Sequence, residues 1–105
     1  MKKTAALLVA ATMTTTGVAW ADAGLDLLTK NGCTACHAID KKILGPAYKD
    51  VAEKYKGDAT AAAKLQEKVK KGGSGVWGAV PMPPNSQVSD ADIKADVAYV
   101  LSLKK

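Results

Sequence analysis

The chain has 105 residues, 48 % of them hydrophobic, with ten acids and fifteen bases for a net charge of +5. Every base is lysine, and a chain without arginine lacks the bidentate and stacked contacts on which nucleic-acid readers lean, so no nucleic-acid partner is expected. Apolar runs are too short for a bilayer span of about 20 residues, so no stable membrane insertion is expected.

The N-terminal stretch reads as an address. Lys2 and Lys3 precede a short apolar run from Ala5 to Ala11, a threonine-rich patch follows, and Ala19-Trp20-Ala21 is a small-x-small cleavage signal of the secretory kind. A secretory signal peptide over residues 1–21 is expected, leaving one domain over residues 22–105. Lys2 and Lys3 leave with the signal and all ten acids stay, so the mature charge falls to +3. That domain has no Phe and a single Trp, and at this size a polypeptide core alone is marginal. A disulfide, a metal or a large apolar cofactor is expected to supplement it.

The mature chain shows helical periodicity and no alternating strand pattern. A first helix is predicted over about Ala23 to Asn31, with Leu25 and Leu28 inward and Gly32 as its stop. A second begins at Pro46, a residue favoured in the first turn, carries Tyr48, Val51, Ala52 and Tyr55 at helical spacing, and ends at Gly57. A third runs from about Thr60 to Lys71, with Leu65 and Val69 four apart and Gly72-Gly73 beyond its end. The last is opened by Ser89, with Asp92 where a capping box has Glu, and bears the stripe Ile93, Val97, Val100 and Leu101, with Tyr99 at its edge.

Between the third and fourth helices, Gly72 to Val88 lacks periodicity and holds four glycines, three prolines, Trp77 and Met82. Its apolar residues Val76, Trp77, Val80 and Met82 argue against disorder, and its prolines lower the entropy lost on ordering. This reads as an ordered, functional loop lying against something large and apolar.

Cys33-Thr34-Ala35-Cys36-His37 is the C-x-x-C-H signature of c-type haem attachment. The two thiols add to the two haem vinyl groups, and the adjacent His37, the chain's single histidine, is placed to turn its ring under the iron. A dithiol-disulfide centre also uses C-x-x-C, usually in a strand-helix-strand context not evident here. A structural zinc site needs four protein ligands, and beyond Cys33, Cys36 and His37 the chain offers no further Cys or His. A structural disulfide would close a very short loop. Haem is the reading favoured among these. A closed electron-carrying iron needs a second axial ligand; Met82 is the single methionine of the mature chain, in a proline-framed loop. Thioether ligation raises the reduction potential relative to two nitrogen ligands.

Cys33-Thr-Ala-Cys-His-Ala-Ile-Asp40, Gly45-Pro-Ala-Tyr-Lys-Asp-Val51, Gly75-Val-Trp-Gly78 and Pro81-Met-Pro-Pro-Asn85 together resemble the small bacterial class I cytochromes c of the c-551 type. The resemblance spans essentially the whole mature chain. It implies an all-α fold, about four short helices and an ordered Pro/Gly-rich loop around one haem c held edge-out, with His37 and Met82 as axial iron ligands. It further implies that the Pro46 carbonyl meets the His37 ring N–H, that Asn85 bonds near the Met82 sulfur, and that the Trp77 indole meets a haem propionate. Lys68 falls where many members carry an arginine near a propionate; lysine supplies the charge but not the two-pronged contact. Leu28 and Tyr55 take positions often held by Phe. The function implied is that of a periplasmic one-electron carrier of a respiratory chain, an electron-transfer protein and not an enzyme. It would be a monomer meeting acidic-faced redox proteins such as a nitrite reductase, a terminal oxidase, a peroxidase or a bc1-type complex. Lys30, Lys41, Lys42 and Lys49 would guide such partners to the haem edge.

Overall fold

The computed structural model describes residues 19–104. The expected signal peptide falls largely outside the described residues. The elements are helix α1 (Ala19–Lys30), a short 3-10 turn (Cys33–Ala35), α2 (Tyr48–Lys54), α3 (Ala61–Lys71) and α4 (Asp90–Ser102). Among the described residues there is no strand, only isolated bridges joining His37 to Lys42 and Gly73 to Met82. None of the described helices is long and apolar enough to cross a membrane.

The chain is organised around α4, which packs against α1, α2 and α3. Its stripe is the reason: Ile93, Val97 and Val100 are all buried, spaced as one face of a helix. Leu28 of α1, at 2 % exposure, joins Tyr48, Val51 and Val100 in one cluster, with Cys33, Tyr55 and Leu65 packed against it. Ser89 caps α4, its hydroxyl accepting from the Asp92 N–H at 3.1 Å. That is one half of the predicted box. The returning bond is missing from the described contacts, and an Asp side chain is one methylene shorter than the Glu that usually makes it.

Helix ends differ from prediction where local chemistry intervenes. α1 begins at Ala19, earlier than predicted, and stops as predicted before Gly32, whose φ of 80° is in the left-handed region. α2 begins at Tyr48 and not at Pro46, because Ala47 is extended (φ −61°, ψ 144°) and serves as the N-cap. Its first free N–H groups are used by the segment just after the C-x-x-C-H motif: Tyr48 N–H donates to the Ala38 carbonyl and Lys49 N–H to that of Ile39. α3 is led by Asp58, whose carboxylate accepts from the Thr60 N–H at 2.8 Å and from the Thr60 hydroxyl at 2.6 Å.

Candidate functional site: a cleft between the C-x-x-C-H motif and the Met82 loop

One cleft, enclosing about 230 Å³, gathers residues from every part of the described chain. Cys33, Cys36 and His37 line one side, and Met82 with its flanking Pro81 and Pro83 lines another. Leu28, Val51, Leu65, Val69, Val97 and Val100 supply an apolar floor from all four helices.

The His37 side is built by a short ladder of backbone contacts. Gly45 N–H donates to the Cys36 carbonyl at 2.7 Å, and His37 Nδ1 lies 2.7 Å from the Pro46 carbonyl oxygen. A carbonyl only accepts, so the proton sits on Nδ1, and Nε2 keeps a free lone pair of the kind a metal uses. The helix boundary explains the contact: with Ala47 as N-cap, the Pro46 carbonyl is outside the helical ladder and available to the ring. Tyr48 stacks on the imidazole, with ring centroids 5.2 Å apart and planes 24° from parallel.

The Met82 side is pinned in the same manner. Gly73 and Met82 exchange two backbone bonds, at 3.0 and 2.8 Å. Gly72, at φ 74°, lies so close that a Cβ there would overlap the Met82 carbonyl. Asn85 completes the clamp: its N–H and its side-chain amide both donate to the Val69 carbonyl near the end of α3, and the amide reaches the Pro83 carbonyl at 3.2 Å. The bond expected from Asn85 toward the Met82 sulfur is not among these contacts. The physical reason is the set of free carbonyls at a helix C-terminus, which attract any donor the loop brings near.

Lys68 lines the cleft, its Nζ directed at Gly73. Trp77 also lines it, 41 % exposed, with the Lys54 ammonium over its ring at 5.6 Å. Of the lysines expected to guide partners, Lys49 is tied to Asp40 at 2.7 Å, so its charge is locally offset. Lys41 and Lys42 are exposed.

A large, flat apolar group with iron at its centre fits these residues. Leu44 (59 % exposed), Val76, Trp77 and Val80 (63 %) all border the cleft, so the loop presents to it the apolar surface that the protein's own atoms leave uncovered. Two candidate iron ligands and two thiols meet in the same space. The dithiol alternative fits less well: burial, with Asp96 and Cys36 adding to it against a hydrogen bond to its own backbone, pushes the Cys33 thiol up to about 11. Reactive dithiols are depressed instead.

One cleft residue escaped the sequence reading. Asp96, on α4, is only 3 % exposed. Its Oδ2 accepts from the Asn31 side-chain amide at 2.8 Å, while Oδ1 is buried without a hydrogen-bond partner among the described residues. The signal was available: Asp96 falls three residues after Ile93 and four before Val100, on the buried stripe itself.

A family model described as Cytochrome c matches residues 21–104. Cytochrome c-551 of Allochromatium vinosum is 58 % identical over 81 residues, covering 77 % of this chain and 86 % of that protein. Cytochrome c-551 of Pseudomonas aeruginosa is 52 % identical over 86 residues, covering 82 % of each. The crystal structure of wild-type cytochrome c552 from Nitrosomonas europaea superposes with a TM-score of 0.74 at 54 % identity, covering 76 % of this chain and 99 % of that one.

Proposed function

Since the chain belongs to the cytochrome c family, as a small class I member of the c-551 type carrying covalently bound haem c, we propose that it is a periplasmic one-electron carrier with His37 and Met82 as axial iron ligands. Cys33 and Cys36 hold the haem through thioethers, and residues 1–21 are the signal peptide that delivers domain 22–105 to the compartment where it works. The bound haem supplies an iron that alternates between ferric and ferrous. One observation carries this reading: His37 and Met82, 45 residues apart in sequence, line the same cleft as both cysteines.

The protein's own residues do the rest. The Pro46 carbonyl fixes the His37 ring and holds its proton on Nδ1, which raises the basicity of Nε2. The Gly73 bridge and the Asn85 clamp hold the Met82 backbone in place, so the thioether can stay in position in both oxidation states. With His37 and Met82 holding the iron, no position would be left open to a substrate, and the protein would transfer electrons without acting as an enzyme. Trp77 and Lys68, both on the cleft, would donate to the haem carboxylates. Exposed Lys41 and Lys42, near the attachment motif in sequence, steer acidic-faced redox proteins such as a nitrite reductase, a terminal oxidase, a peroxidase or a bc1-type complex. Such encounters are brief, and their rates fall with salt. The chain acts as a monomer.

Absorption spectroscopy of the oxidised holoprotein tests the ligand pair. The expected result is a low-spin iron with the weak red-region band of methionine-to-iron ligation. A high-spin spectrum with rapid cyanide binding would overturn it.

A further inference from the structure

Asp96 is a carboxylate in a core position, and nothing in the carrier reading above uses it. Ile93, Asp96, Val97 and Val100 form one buried face of α4, and a carboxylate there is costly unless something uses its charge. Its environment is lopsided. One oxygen is satisfied by Asn31, the other has no partner among the described residues, and the residue lines the same cleft as Cys33, His37 and Met82.

The titratable and charged groups around it come from every packed element. The 3-10 turn brings Cys33, whose thiol is spent in the thioether. α2 brings the Tyr48 phenol, also buried without a partner among the described residues. α3 brings Lys68 to the same cleft, and α4 itself brings Asp92. Asn31 adds a neutral donor. Desolvation, countered by Asn31 and reinforced by Asp92, holds the Asp96 proton affinity above the usual carboxylate range. A group with that bias is poised to change its protonation when a charge nearby changes.

Resting on the electron-carrier reading, we propose that Asp96 couples proton uptake to electron uptake in this protein. When a partner protein delivers one electron to the iron, the Asp96 carboxylate takes one proton from solvent. The bond formed is O–H on the carboxyl, the iron is reduced, and the net charge of the site is unchanged. On oxidation the proton returns to solvent as the electron leaves. The linkage is reciprocal: the ionised carboxylate favours the ferric state, so the midpoint potential falls as pH rises through the Asp96 titration. At an effective dielectric of ~20, a unit charge change within ~10 Å moves a proton equilibrium by about tenfold.

The test uses the full holoprotein. Midpoint potential is measured against pH for the parent, Asp96→Asn and Asp96→Leu, and the Asp96 carboxyl is titrated by carbon-13 NMR in parent protein held fully oxidised or fully reduced. The carboxyl should titrate at higher pH when reduced, by about tenfold in proton affinity. Both variants should lose the Asp96 portion of the pH slope and sit at higher potential on the alkaline side. The haem's own carboxylates contribute equally to all three proteins, so the difference between curves isolates Asp96. The leucine variant keeps the comparison open if asparagine folds poorly, and the NMR titration needs no variant. A carboxyl that titrates identically in both oxidation states, or variant curves superimposed on the parent, would overturn the proposal while leaving a reversible one-electron carrier intact. Absence of a reversible one-electron wave would overturn the carrier reading, and this proposal with it.

Discussion

Gly45 lies directly against the His37 ring: a Cβ at Gly45 would overlap Cε1 and stand 2.9 Å from Nδ1. The glycine is thus a steric requirement of the imidazole's position, and it also donates its N–H to Cys36. Gly45→Ala must push the ring away or break the Pro46 contact. Overpacking of this kind costs about 1–3 kcal/mol. The expected outcome is a lowered Tm and a weakened His37–iron bond, read as a growing high-spin fraction in the visible spectrum.

Met82→Ala separates attachment from ligation. The haem should stay attached through Cys33 and Cys36, while the iron should lose the sulfur ligand proposed for it. The red-region band disappears, cyanide binds quickly and the midpoint potential drops. Retention of the band with an unchanged potential would show that another residue is the ligand. Cys33→Ala or Cys36→Ala should instead impair covalent attachment, visible as haem lost on denaturation.

The Asn85 side-chain amide donates to the Val69 and Pro83 carbonyls. Asn85→Ala therefore loosens the loop from α3. Losing the partly buried bond to Val69 and the exposed one to Pro83 costs about 1–2 kcal/mol. The thioether then detaches before the protein unfolds, so on heating the red-region band fades at a lower temperature than helical circular dichroism.

Asp58 sets an acid-sensitive element at the start of α3. Hydrogen bonds from the Thr60 hydroxyl and N–H, then from Lys64, lower its carboxyl to about 2. A depressed carboxylate stabilises the fold above its unfolded value near 4, and that contribution is lost as pH falls toward the folded value. Asp58→Ala should melt earlier than the parent at pH 6. The gap between the two Tm values should shrink progressively between pH 4 and pH 2.

The capped and amphipathic segments were legible as helices because their signals are local. Ser89 opens α4 as predicted, and Ile93, Val97 and Val100 are buried as their spacing requires. The α2 boundary was not legible: Pro46 is compatible with a first turn, but its carbonyl is drawn to a histidine nine residues earlier. Val76, Trp77 and Val80 read as lying against something large and apolar, and the chain's own atoms leave all three exposed on the cleft.

Sequence by itself determined the cofactor, since C-x-x-C-H carries its reactivity within a few residues. Tertiary structure decided what those groups lean on: the Pro46 carbonyl behind His37, the Val69 carbonyl under Asn85, and the Asn31 amide on a carboxylate 65 residues away. The physical reason is range. Covalent reactivity and helical periodicity are local properties of the chain. A hydrogen-bond partner across a closed loop, or the burial of Asp96, exists only once the helices have packed and excluded water.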